Sequence, residues 1–419
     1  MPMDPEELQK RRMQRQQRQQ ARKRRSVVKL VVALLVLLFA TAVIVALLGR
    51  NADTPIPPST HETTHTAGTE QTTVPENGDT VIRFAAVGDL NITDRVIGSG
   101  GAGYDYSQVF LDVAHLLAGA DVTAVNLEGV LAGEPSGQDH VAPKQLLQEL
   151  KRCGVDLCQI ANSYTLAKGV SGLSRTVTEL RGLGLEPVGA FDSNEAFRES
   201  GGFTLLNVQG ICVAVVAFTK GMDGTALPQG NEDRVNLLYE DYASTYQTID
   251  KEGITRVLSA VQKAQPDITI ALLHWGSEYN DTISSSQQKI CELLQENGVD
   301  AIIGTHSHFV HKMTHDPQTG NFVAYSLGDF LGDAQRSGTE YSVVLELEIT
   351  KTAQGKTSVT GYDYTPIFTV AEEEKPLKVV RLREAIAAYE AHQLDRVTES
   401  TYEAMQYALG RVEARIKGE

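Results

Sequence analysis

His306 and His308 stand two apart in GTHSHFVH, directly after the apolar run Ala301–Ile302–Ile303. Imidazole nitrogens at the end of a buried strand are good ligands for a divalent ion. Other groups with lone pairs recur in the same setting. Asp89 closes VIRFAAVGD, Asn126 and Glu128 close DVTAVNLEG, Asn162 lies in VDLCQIANS, and His274 ends the apolar part of DITIALLHWGSEY. Gathered at one place, such carboxylates, imidazoles and amide oxygens can hold one or two divalent ions. Ions so held polarise a phosphoryl group and activate a water. Each residue also has a plainer reading. Asp89 and Asn162 can cap helices, Glu128 can pair with Lys or Arg, and a lone His274 is more often packed than ligating.

For these groups to meet, the apolar runs must be strands whose ends converge. In α/β folds the C-terminal ends of strands open into the ligand crevice. Runs at 81–89, 121–129, 155–163, 211–220, 267–279, 299–308, 321–331 and 341–350 read as strands. Between them, Val109, Phe110, Val113, Leu116 and Leu117 have helical spacing, as do Leu146, Leu147 and Leu150. Further helices are expected near 170–182, 250–264 and 285–296. This alternation predicts a layered α/β fold with mixed sheets, a strand at 357–367 pairing antiparallel. Residues 221–248 read as a polar surface excursion. Residues 379–417 read as helical, with an interruption at GRVEAR.

The segments AAVGDLNIT, AVNLEG, DLCQIANSY, LLHWGSEY, IIGTHSHFVH and VAYSLGDFL appear in this order over residues 81–333. Together they resemble the poly-gamma-glutamate capsule synthesis (CapA-like) family, itself similar to calcineurin-like metallophosphoesterases. The resemblance implies that fold and a metal site built from Asp89, Glu128, Asn162, His274, His306 and His308. Asn126 is the alternative to Glu128 in the second motif. Asp329, where the family usually has Asn, would line the pocket. The implied cofactors are one or two divalent ions, Mn, Zn or Fe.

The third motif departs from the family pattern. Ser163 replaces a second Asn, Tyr164 replaces His, and Ala167 replaces Asp. A phenol near pKa 10 is a poor acid at neutral pH where an imidazole is a good one. His115, His140 and His311 are the histidines considered as substitutes. Lys168 follows the motif and reads as solvent-exposed.

Of 419 residues, 42% are apolar, enough for a sizeable core, and the net charge is −15. The charge is uneven: residues 1–29 carry about +7 and the remainder about −22. So acidic a body is a poor fit for nucleic acid, and no nucleic-acid partner is expected. Residues 30–49, LVVALLVLLFATAVIVALLG, hold no charge and lie between Lys29 and Arg50. They are long enough for one bilayer-spanning helix, and the basic flank sets the N-terminus as cytoplasmic. A cleaved signal peptide fits less well, because its basic region would be unusually long. Residues 51–79 are rich in Thr, Pro, Gly and acids and read as a stalk, with His61 and His65 in it. The four cysteines are scattered and suggest no disulfide scaffold.

The expected organisation is a basic cytoplasmic arm (1–29), a transmembrane helix (30–49) and a disordered extracytoplasmic stalk (50–79). A metallophosphoesterase-fold domain (80–370) and a helical C-terminal extension (371–419) follow. The expected function is that of a membrane-anchored CapA-like protein in synthesis or export of an anionic capsule or envelope polymer such as poly-gamma-glutamate. Catalysis would be reduced or absent, and membrane-embedded synthesis and export proteins would be the partners. The main domain would lie outside a single-pass anchor. The alternative is an active extracytoplasmic metal-dependent phosphoesterase or hydrolase.

Overall fold

A computed structural model describes residues 78–394 and 397–419. The first strands in chain order are β1 (Thr80–Asn91), β2 (Val122–Glu128), β3 (Leu157–Gln159), β4 (Glu186–Val188), β5 (Thr204–Val208), β6 (Ile211–Thr219) and β7 (Ile268–His274). They are followed by β8 (Ala301–Thr305), β9 (Met313–His315), β10 (Phe322–Ala324), β11 (Asp329–Leu331), β12 (Tyr341–Lys351), β13 (Thr357–Val370) and β14 (Lys378–Arg381). The helices of nine or more residues are α1 (Lys144–Arg152), α2 (Gly169–Gly182), α3 (Lys251–Ala264), α4 (Ser285–Glu296), α5 (Leu382–Glu390) and α6 (Glu399–Lys417).

The strands form two mixed sheets. One has the order β14-β13-β12-β1-β2-β3-β4, with β11 paired to β1, and the other β5-β6-β7-β8-β10-β9. Alternate residues of each sheet face each other. Phe84, Ala86 and Ala124 meet Val215, Ala217, Leu272 and Ile303 in a shared core. The outer face of the first sheet is covered by Leu146, Leu147 and Leu150 of α1 and Leu173, Val177 and Leu180 of α2. The outer face of the second is covered by Ile254 and Leu258 of α3 and Ile290 and Leu294 of α4. Burial on both faces explains why these strands read as near-continuous apolar runs. Each such side chain contributes about 1.5–3 kcal/mol of apolar burial. The expected layered α/β fold with mixed sheets is therefore present.

The helices start where local chemistry supplies caps. Asp250 accepts from the Gly253 N–H at the start of α3. Ser284 and Gln287 form a reciprocal capping box at α4. At the C-terminal end, α6 buries Met405, Ala408, Val412 and Ile416 in the core shared by the sheets.

Several expectations change. Run 155–163 holds a strand of only three residues, β3, and 321–331 splits into β10 and β11 in different sheets. Residues 379–417 are not interrupted at GRVEAR. Gly410 lies within α6, where a Cβ would meet nothing, and the break falls between α5 and α6. The excursion 221–248 holds no helix or named strand, yet Met222, Val235 and Leu238 are buried.

The expected membrane helix is corrected as well. No helix among the described residues is long and apolar enough to cross a membrane. The longest, α6, carries Glu399, Glu403, Arg411, Glu413, Arg415 and Lys417, a charge load unsuited to a bilayer core. The stretch at 30–49, with the arm 1–29 and nearly all of the stalk including His61 and His65, lies outside the described residues. The single-pass topology with an external main domain is set aside with it.

Candidate metal centre

The site forms where β1, β2, β7, β8 and β11 end. A bulge in β1 sets it up. Ala86 pairs with Ala124 but Asp89 with Asn126, so β1 spends one extra residue between these pairs. Across such a bulge the side-chain alternation inverts. Phe84 and Ala86 face the core between the sheets, whereas Leu90 faces the helices. Asp89 is thereby turned inward. Its other neighbour is Asp329 of β11, in direct register. This approach requires Gly88, because a Cβ there would sit 1.8 Å from the Gly328 carbonyl oxygen.

β7 and β8 deliver the imidazoles. His274 ends β7 opposite Thr305, the last residue of β8. His306 and His308 follow with φ of +88° and +63°, in the left-handed region that ordinary side chains avoid. Such backbone costs on the order of 1–3 kcal/mol per residue and persists only where surroundings hold it. Here Asp89 Oδ2 accepts from the His306 N–H at 2.9 Å. The Tyr279 N–H donates to the Ser307 carbonyl at 2.9 Å, and the Ser307 and Ser326 hydroxyls bond at 2.9 Å.

Two donor groups result. Glu128, His274 and His306 place one donor atom each within 4.8 Å of one another, and Asp89, His308 and Asp329 do the same. All six are buried. Asn126 links the groups: its Nδ2 lies 2.6 Å from Asp89 Oδ1 and 3.2 Å from His274 Nδ1. Asn162 Nδ2 in turn donates to Asn126 Oδ1 at 3.0 Å and to the Leu127 carbonyl at 2.6 Å. The Asn162 Oδ1 accepts the Tyr164 N–H.

The residues fit a divalent ion. His306 Nδ1 is buried with no hydrogen-bond partner, and a divalent ion taken up on the imidazole would leave no such nitrogen unserved. Three buried carboxylates face a single strongly basic imidazole, and burying charge without a partner is costly. Burial pushes Asp89 up, reinforced by Glu128 and Asp329. Burial likewise raises Glu128 to about 8. Burial alone would lower His308, but Asp329 at 2.8 Å, then Glu128 and Asp89, outweigh it and hold the imidazolium up to about 11. His274 and His306 are driven the other way, by burial first, and so stand neutral as ligands must. Either group can accommodate a divalent ion, whose identity the donors do not select among Mn, Zn and Fe.

Of the six expected ligands, Asp89, Glu128, His274, His306 and His308 fall in the two groups, and Asn162 adjoins them through Asn126. Asp329, expected only to line the pocket, supplies a donor atom. Three neighbours escaped sequence reasoning in these positions. Ser163 Oγ lies 3.1 Å from His274 Nε2. Lys220 Nζ reaches the Gly276 carbonyl at 2.9 Å and His306 Nε2 at 3.2 Å. Tyr279 stacks on His308 with ring centroids 4.9 Å apart. Lys220 ends the apolar run ICVAVVAFTK and Tyr279 lies in HWGSEY, so strand-end position was the available signal.

Tyr164 stacks on His140 at 3.4 Å. Its phenol is pushed above the ordinary range, chiefly by burial. His311 donates from Nε2 to the Asn280 carbonyl at 2.8 Å, and His115 is exposed on a short helix. Lys168 pairs with Asp139 at 2.9 Å. The four cysteines are free thiols.

The expectation of a membrane-anchored protein with reduced or absent catalysis is corrected on two findings. The described residues hold no spanning helix. The substitution at Tyr164 also leaves both donor groups intact, because Tyr164 gives Asn162 only its backbone N–H. The hydrolase alternative is the better supported.

Comparison with known proteins agrees with the motifs. The PGA biosynthesis protein CapA of Bacillus subtilis is 24% identical over 295 residues, covering 68% of this chain and 72% of its own. The capsule biosynthesis protein CapA of Bacillus anthracis is 24% identical over 255 residues, covering 59% of this chain and 58% of its own. Among solved structures, the calcineurin-like phosphoesterase YfkN from Bacillus subtilis aligns at 14% identity and a TM-score of 0.41, over 79% of this chain and 99% of its own. So distant a structural likeness carries no argument. The family model for the bacterial capsule synthesis protein PGA_cap matches residues 83–334. With its motifs in order and its site assembled from them, the chain belongs to the PGA_cap family.

Proposed function

We propose that this chain is a metal-dependent hydrolase of phosphoester-type bonds, acting in the handling of an anionic capsule or envelope polymer. The observation that carries the reading is the pair of buried donor groups joined through Asn126. The names of the two Bacillus relatives support the polymer context, and proteins of anionic-polymer synthesis are the partners it implies.

Asp89, Glu128, His274, His306 and His308 are assigned to hold the ions, with Asp329 added. Asn162 belongs to the set as the residue that orients Asn126. Divalent ions bound there supply Lewis-acid polarisation of a phosphoryl oxygen and an activated water. The chain's own residues do the rest. Asn126 holds Asp89 and His274 in register. Asp89 fixes the His306 backbone. Lys220 adds positive charge beside His306, where a phosphoryl group would accumulate negative charge. Tyr164 keeps its proton, so leaving groups that need little protonation suit the site best.

The test is elemental analysis of the purified chain after Mn²⁺ and Zn²⁺ loading, with turnover of 4-nitrophenyl phosphate and bis-4-nitrophenyl phosphate. One or two retained ions, lost with turnover in His306→Ala/His308→Ala, are expected. A folded wild type that retains no ion and hydrolyses neither ester overturns the reading.

A further inference from the structure

Above the second donor group lies a stack of three side chains. The His308 ring underlies Tyr279 at 4.9 Å, and the Arg336 guanidinium lies over the Tyr279 ring at 4.0 Å. His308 is buried, Tyr279 is 40% exposed and Arg336 is exposed, so the stack runs from the site outward.

Arg336 differs from the other cation near the site. Lys220 spends its ammonium on the Gly276 carbonyl, on His306 and on the Tyr246 face. The Arg336 guanidinium has no ion pair and donates no hydrogen bond among the described residues. Its hydrogen bonds are made by its backbone, the carbonyl accepting from Thr339 N at 3.0 Å and Thr339 Oγ1 at 2.8 Å. Stacking fixes the plane of a guanidinium while leaving its edge donors unspent. A planar fork of N–H donors so held suits the two oxygens of a carboxylate or phosphate. An arginine with unspent donors beside the two donor groups is placed to meet an anion.

We propose that Tyr279 and Arg336 form an anion subsite that binds a second carboxylate or phosphate of the substrate, beyond the group at the donor clusters. The subsite deepens the hydrolase reading and rests on it only for the location of the reacting group. It makes the preferred substrate one with at least two anionic groups.

The experiment compares phenyl phosphate with 4-carboxyphenyl phosphate by calorimetry on the Mn²⁺-loaded full chain. The wild type should bind the carboxylated ligand about tenfold more tightly, the effect of one charge-assisted fork. Arg336→Gln should reduce that ratio to about one. Tyr279→Leu should reduce it too, and Tyr279→Phe, which keeps the stack, should preserve it. A wild-type ratio near one, or an undiminished ratio in Arg336→Gln, overturns the proposal. The metal-free chain gives an independent arm. Saturation-transfer NMR should show 4-carboxyphenyl phosphate binding to the wild type and not to Arg336→Gln; equal signals, or none in either, overturn the subsite. Phenyl phosphate bound no better by the loaded chain than by the metal-free one counts against the metal reading above and leaves the subsite to this arm.

Discussion

Asp329 Oδ1 lies 2.8 Å from His308 Nδ1, both buried. The family's usual Asn at this position could not carry the charge that holds His308 protonated when no ion is bound. Asp329→Asn should therefore lower the His308 pKa toward the ordinary imidazole range in the metal-free chain, read by NMR titration. It should also weaken ion binding by about 10–100-fold, read by calorimetry.

The proton inventory makes ion uptake pH-dependent. Glu128 is a carboxyl raised to about 8, the reverse of the usual case. Its folded state prefers the proton, so the stability it contributes to the metal-free chain is complete below the ordinary carboxylate range and is lost as pH rises through about 8. His308, raised to about 11, contributes stability that is complete below its ordinary value of 6.5 and is lost as pH passes through about 11. An ion must expel both protons. Affinity should rise from pH 6 to pH 9 with measurable proton release. Denaturation midpoints of the metal-free chain should fall between pH 7 and pH 8, above the range in which the depressed His274 and His306 add stability with rising pH, and saturating Mn²⁺ should reverse that slope. Affinity independent of pH would count against these ligands.

Gly88→Ala should be severe. The new methyl would occupy the space of the Gly328 oxygen, 1.8 Å away, and must push β11 from β1. A loss of about 3 kcal/mol or more is expected by urea unfolding. Ion binding should fall further than stability accounts for, because Asp89 and Asp329 are then separated.

Tyr164 sets the leaving-group dependence. With no acid of near-neutral pKa at this position, rates should drop steeply as the leaving group becomes more basic, from 4-nitrophenol to alkyl alcohols. Tyr164→His should raise turnover of the alkyl esters by about 10–100-fold and change that of 4-nitrophenyl phosphate little. A flat dependence in the wild type would place a proton donor elsewhere, with His140, stacked on Tyr164, the first to test.

The donors were legible in the chain because each ends an apolar run, and burying a run in a sheet brings its last polar residue to the sheet's edge. Asp89, Glu128, His274, His306 and His308 all followed from that rule, as did the layered α/β fold. The helices α1, α2, α3 and α4 were legible from apolar spacing. Short strands were not: VAYSLGDFL reads as one run, yet β10 and β11 join different sheets because backbone pairing, which periodicity does not report, divides them.

What the sequence by itself determined was the set of candidate donors and the order of the strands that carry them. Tertiary structure decided which donors stand together. The bulge in β1 inverts the alternation and brings Asp89 against Asp329, a residue 240 positions along the chain to which the family resemblance gave only a pocket wall. It also decided the neighbours: Ser163, Lys220, Tyr279 and Arg336 come from four separate segments, and no local pattern encodes their meeting. The reason is physical. Local sequence sets which face of an element is apolar, whereas the register between distant strands is set by the packing of both sheets at once.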